Sequence, residues 1–130
     1  MNLNKVMIIG NLGSDPEMRF TANGTPVTTF RVAVNWRRQG PEGERREETE
    51  WFSVVAWNKL AETCNQYLAK GRRAYVEGRL QTRSWEGQDG QTRYRTEIIA
   101  SNVIFLDRRT DELAPMDEKI EDIEPEDLPF

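Results

Sequence analysis

Residues 50–71 read EWFSVVAWNKLAETCNQYLAKG, and the spacing of their apolar side chains changes period once. From Glu50 to Trp57 the alternation is that of a strand: Phe52, Val54 and Ala56 point one way, and Trp51, Ser53, Val55 and Trp57 the other. From Asn58 to Lys70 the apolar residues Leu60, Cys64, Tyr67 and Leu68 recur at helical intervals. Asn58 is a candidate N-cap and Gly71 a left-handed stop. A strand therefore runs straight into a short helix, and what lies on either side decides the class of sheet that the helix joins.

Upstream, residues 2–12 are rich in β-formers and stop at Gly13-Ser14-Asp15-Pro16. After a turn at Asn23-Gly24, residues 27–36 alternate with Phe30, Val32 and Val34 on one face and Thr29, Arg31, Ala33 and Asn35 on the other. Residues 39–48, QGPEGERREE, contain no apolar side chain and are expected to form an exposed, mobile loop. Downstream, residues 72–85 and 92–106 read as two strands joined at Gly87-Gln88-Asp89-Gly90, where Asp-Gly suits the positive φ of a tight turn. Five strands with one helix between the third and fourth is the order of an all-β OB-fold barrel. A three-stranded sheet with a helix in another α+β fold satisfies the same pattern.

Charge divides the chain differently. Up to Leu106 there are fifteen basic and twelve acidic residues, a net of +3. From Asp107 onward there are three and ten, a net of −7. We expect an OB-fold domain over 1–108 and a disordered acidic tail over 109–130, where aromatics vanish until Phe130. The sequence has no His and a single Cys, Cys64. This removes histidine catalysis and an internal disulfide, disfavours a nitrogen- or sulfur-bound metal, and leaves no expected cofactor. No apolar run approaches the ~18 residues of a membrane span, and no leader is visible, so the expected setting is the cytoplasm.

Trp51 and Trp57 share the face of their strand opposite Phe52, Val54 and Ala56, about 20 Å apart at ~3.3 Å per residue. On the strand from Arg72, the odd positions Tyr75, Arg79, Arg83 and Trp85 share a face, and Trp36 precedes Arg37 and Arg38. Flat rings beside cations suit sequence-tolerant binding of a single nucleic-acid strand, the rings stacking on bases and the cations meeting phosphates. The competing reading places the tryptophans in a core. It is weakest for Trp51 and Trp57, whose opposite face is already apolar. The ending, Asp127-Leu128-Pro129-Phe130, joins an aromatic anchor and a free carboxylate to a run of acids, a pattern suited to an apolar pocket rimmed by Arg or Lys.

As a set, several motifs resemble the bacterial single-stranded DNA-binding protein family: Asn4-Lys5-Val6, Gly10-Asn11-Leu12-Gly13 with Asp15-Pro16-Glu17, Asn23-Gly24, Thr49-Glu50-Trp51, Lys59-Leu60-Ala61-Glu62, Tyr67-Leu68 with Lys70-Gly71, Glu77-Gly78-Arg79-Leu80 with Thr82-Arg83, and Asp127-Leu128-Pro129-Phe130. The resemblance implies a non-catalytic OB-fold that assembles as a homotetramer, wraps single-stranded DNA, and recruits replication, recombination and repair proteins through the tail. It places base-stacking aromatics at Trp51, Trp57 and Trp85. The segment after Asn35 is shorter than in some relatives, leaving Trp36 or a neighbouring Arg for the remaining aromatic position. Arg37, Arg38, Lys59, Arg72, Arg79 and Arg83 are the expected phosphate contacts. The Gly/Gln/Pro-rich linker common in the family is nearly absent, which shortens the reach of the tail.

Two other classes compete. An enzyme is disfavoured because carboxylates lie in loops and the tail, with no phosphate-cradling glycine loop. An OB-fold module for RNA, or a protein-only adaptor, predicts weak DNA binding or a need for 2′-hydroxyls.

Overall fold

The computed structural model describes residues 1–106, and the tail beyond lies outside the described residues. Its elements are β1 (Val6–Leu12), β2 (Glu17–Phe20), β3 (Pro26–Gln39), β4 (Arg45–Trp57), α1 (Asn58–Tyr67), β5 (Arg73–Glu86) and β6 (Thr92–Phe105). Antiparallel pairings join β5 to β1 and β6, and β3 to β1 and β4; β6 and β4 meet in parallel through Val54–Ile98 and Val55–Ile99. These pairings close a ring β1-β5-β6-β4-β3-β1, a five-stranded OB-fold barrel with α1 between its third and fourth strands. Closure leaves no long edge, which lets a chain of this size enclose one core.

The inward positions follow the alternation in the sequence. Phe30, Val32, Val54, Ala56, Ala74, Val76 and Ile98 are buried, with Val34 and Phe52 packed against them. At the junction where Asn11 pairs with Ala33, a side chain at Gly10 would strike the Ala33 carbonyl oxygen at 2.2 Å. Only glycine lets β1 cross β3 this closely.

Helix α1 covers the barrel beside β3 and β4. Of the expected stripe, Cys64 and Leu68 are buried and Leu60 packs against the core, with Ala61, not part of the stripe, also fully buried. Tyr67 instead stays half-exposed at the rim, against Phe105 with centroids 5.7 Å apart. Thr28 Oγ1 donates to the Ala61 carbonyl at 2.7 Å, a buried polar bond that ties helix to β3. Asn58 does not cap: the N-cap residue is Trp57, without a side-chain bond, and Asn58 itself adopts φ 59°.

The helix also ends at Tyr67, earlier than the expected Lys70. The reason is that later donors find partners on β1's side of the barrel. Lys70 N–H donates to Asp15 Oδ1 at 2.8 Å and Gly71 N–H to the Leu12 carbonyl at 2.9 Å. Gly71, at φ +87°, makes that docking turn instead of stopping the helix.

Two further features depart from expectation. β2, absent from the sequence reading, adds to the outer edge of β3 through Glu17–Thr29 to Phe20–Pro26. Residues 39–48 are largely paired rather than a free loop: β3 and β4 run on as an arm to Gln39–Arg45, with only 40–44 turning. Arg38–Glu48 at 3.2 Å bridges the two strands of the arm, and Arg46–Glu44 at 3.2 Å ties β4 to the turn.

Burial pushes the Cys64 thiol from 9.0 up to about 12. The unfolded chain releases this proton more readily, so the contribution to stability is complete below about pH 9 and lost as pH rises toward 12. Cys64 should therefore resist a thiol-specific disulfide reagent at neutral pH and react only at the rate of unfolding. Rapid native labelling, measured by released thiolate colour, would contradict this placement.

Candidate nucleic-acid interface

All four tryptophans face solvent: Trp36 is 41% exposed, Trp51 48%, Trp57 41% and Trp85 40%. The core reading fails for each of them. Between Trp51 and Trp57 the outer face of β4 carries Ser53 and the buried Val55. β2, paired along the start of β3, supplies Arg19 and Glu17 on one side, and the β5–β6 hairpin, which runs on past its pairing with β1, supplies Arg83, Arg95 and Glu97 on the other. The result is an open groove of about 580 Å³ lined by Arg19, Arg31, Ser53, Arg83, Arg95 and Glu97, among others. A second hollow of about 230 Å³ shares Arg19, Arg83 and Glu97 and reaches Trp57 over Val27 and Val55.

Register explains how the rings meet their cations. Arg31 pairs with Ser53 and Ala33 with Trp51, so Arg31 sits diagonally beside Trp51 on one face. Its guanidinium lies over the indole, 4.8 Å from the centroid. On the β5–β6 hairpin, Arg83 pairs with Arg95 and Trp85 with Arg93. Arg83 and Arg95 both approach the Trp85 ring, at 5.5 and 5.9 Å. Arg83 Nε also donates to Glu97 Oε1 at 2.9 Å.

Of the residues singled out from sequence, Trp57 and Arg83 line this groove system, and Trp51 and Trp85 are tied to it by Arg31 and Arg83. Arg79 shares the outer face of β5 and binds Gln81 Oε1 at 3.1 Å. Lys59 projects at the start of α1, beside Trp57, with Glu62 at 3.9 Å. Arg72 occupies the turn before β5, its carbonyl accepting from Leu12 N–H at 2.9 Å. Trp36, Arg37 and Arg38 stand apart on the β3–β4 arm. Alternation puts Trp36 on the side of Phe30, Val32 and Val34, the face opposite Trp51, and it is exposed because the arm leaves the barrel. The acidic ending Asp127-Leu128-Pro129-Phe130 lies outside the described residues.

Sequence reasoning did not single out Arg19, Arg31, Arg95 or Glu97 as site residues. Arg31 had a legible signal, since it alternates outward with Thr29 and Ala33. Its position beside Trp51 depends on cross-strand register, which no local pattern specifies.

Gly13 supports Trp51. A Cβ there would meet the indole Cζ3 at 2.3 Å. Gly13→Ala should push the ring off its seat, at little cost in stability because the half-exposed ring can swing toward solvent. The expected readout is a shifted Trp emission spectrum together with weaker oligonucleotide binding; an unchanged spectrum with unchanged binding would refute the support.

The single-strand binding protein family model matches residues 3–106, the whole described barrel. The chain belongs to the single-strand binding protein family. Among curated relatives, a single-stranded DNA-binding protein 1 from Chlorobaculum tepidum is 50% identical over 105 residues, covering 80% of this chain and 65% of the relative. A single-stranded DNA-binding protein from Rhizobium meliloti is 45% identical over 115 residues, covering 83% and 66%. The chain thus spans about two thirds of the length of these family members. Among solved structures, a Plasmodium falciparum SSB in complex with ssDNA superimposes with a TM-score of 0.76 at 38% identity, over 82% of this chain and 97% of that one. Among the described residues no helix is long and apolar enough to cross a membrane.

Proposed function

We propose that this protein binds single-stranded DNA without sequence preference and without catalysis, laying bases on Trp51, Trp57 and Trp85 and phosphates along Arg19, Arg31, Arg83 and Arg95. The observation that carries this reading is the pair Trp51 and Trp57, both exposed on one face of β4, with an arginine-lined groove that reaches Trp57 and whose Arg31 packs on Trp51. Stacking accepts any base because every base has a π-face, and guanidinium groups supply the salt-sensitive remainder. The names of the bacterial relatives and of the DNA-bound structural neighbour point the same way. Trp36, on the other face of the β3–β4 arm, offers a separate stacking point with Arg37 and Arg38 beside it, while Arg79, Lys59 and Arg72 meet phosphates at the margins of the track.

A strand held by so few rings is bound weakly, so the working form is a homotetramer in which several barrels share one DNA. In support, the outer face of β1, β5 and β6 presents Met7, 62% exposed, and Ile104, 38% exposed, around the Lys5–Glu77 ion pair. The tail, through Asp127, Leu128, Pro129 and Phe130, recruits replication, recombination and repair proteins in the bacterial cytoplasm. With DNA absent it competes weakly for the basic groove. Deleting residues 117–130 should then raise DNA affinity at low salt.

The test is tryptophan fluorescence during titration with oligo-dT, against matched duplex DNA and single-stranded RNA, at two salt concentrations. Strong quenching by oligo-dT, weaker for the others and eased by salt, is the expected result. No quenching, or an equal response to duplex, would leave the protein as an adaptor.

A further inference from the structure

The groove between the tryptophans carries an acid where a polyanion is to lie. Glu97 is only 8% exposed, its neighbours in the groove include Arg19, Arg83 and Arg95, and its Oε1 accepts from Arg83 Nε at 2.9 Å. Asp15 and Glu17 also line the groove, but both are exposed. A nearly buried carboxylate is costly to desolvate and repels incoming phosphate, so its place here calls for a reason. The surrounding cations supply one. Four arginines around one groove repel one another when nothing is bound, and Glu97 neutralises the guanidinium that also packs on Trp85. Arg31, by contrast, packs on the Trp51 ring rather than on a carboxylate.

We propose that Glu97 is a built-in counter-anion: it holds Arg83 in place while the groove is empty and limits how tightly the groove grips the phosphodiester backbone of a single strand. This rests on the single-strand-binding reading above. A phosphate arriving at Arg83 meets a cation whose charge is already balanced, so it gains less there than at Arg31. The affinity is thereby kept below what the number of arginines alone would give, which favours release of the strand.

The experiment uses the full chain, oligo-dT as probe, and a series of salt concentrations. Glu97→Gln keeps an acceptor for Arg83 Nε but removes the charge. It should tighten binding about three- to tenfold at low salt. It should also steepen the dependence of log affinity on log salt by about one, as expected for one newly uncompensated cation. In an Arg83→Gln background the same change should tighten binding less. Weaker or unchanged affinity with an unchanged salt slope would overturn the proposal, since a purely structural role for Glu97 does not steepen that slope. Where Glu97→Gln fails to fold, Arg83→Gln and Arg31→Gln decide the matter. The proposal requires the slope to fall less for Arg83→Gln than for Arg31→Gln, and equal losses would overturn it. Failure of the wild-type chain to bind oligo-dT in the same series would sink the underlying reading itself, and the proposal with it.

Discussion

Trp51→Ala lowers affinity for oligo-dT by about 1–3 kcal/mol, roughly five- to 150-fold, and adding Trp57→Ala lowers it by a similar factor again. Each ring is nearly half exposed, so each has an open face for a base. The two stand six residues apart on one strand, about 20 Å at ~3.3 Å per residue, so the losses should add. Folding should be little affected, because neither ring belongs to the core cluster. The measurement is a titration of each single variant and the double variant, with thermal unfolding as the control. An affinity loss accompanied by a large fall in melting temperature would mean that the rings support the barrel. Unchanged affinity in the double variant would move the binding path away from β4.

The largest effect on stability is expected at the seam of the barrel. Ile98 is 1% exposed and pairs with Val54, itself fully buried, where β6 meets β4. Ile98→Ala should cost about 2–5 kcal/mol, the transfer of the lost methyl and methylene groups plus the cavity left behind. The seam has only two pairings, Val54–Ile98 and Val55–Ile99, so side-chain packing rather than a long ladder holds it. Denaturant unfolding is the measurement. A loss below ~1 kcal/mol would mean that neighbouring side chains collapse into the space and that closure does not depend on Ile98.

Most of the ring of strands was legible because inside and outside alternate strictly. Phe30, Val32, Val54 and Ala56 are inward both by pattern and in the structure, and Trp51 and Trp57 outward in both. Where patterning alone was available, it misjudged ends. Of Leu60, Cys64, Tyr67 and Leu68, the stripe at helical spacing, only Tyr67 at the last turn is left half-exposed, while Ala61, too small to stand out in the pattern, is fully buried beside Thr28. Residues 39–48 look like a loop by composition, since nothing in them is apolar. They pair because Arg and Glu on neighbouring strands satisfy one another, a cross-strand effect invisible to a one-dimensional reading.

The sequence by itself determined that this chain builds strands with one apolar face, a helix after the third barrel strand, and two tryptophans, Trp51 and Trp57, on the outward face of one strand. These follow from local periodicity, and each is settled within a dozen residues. Only the tertiary structure decided which cation meets which ring. Arg31 reaches Trp51 through the β3–β4 register, Arg83 and Arg95 converge on Trp85 through the β5–β6 register, and Glu97 comes to lie among them because the barrel closes. Register is a property of paired strands, fixed by the packing of the whole ring, and a one-residue slip would send every one of these side chains to the other face.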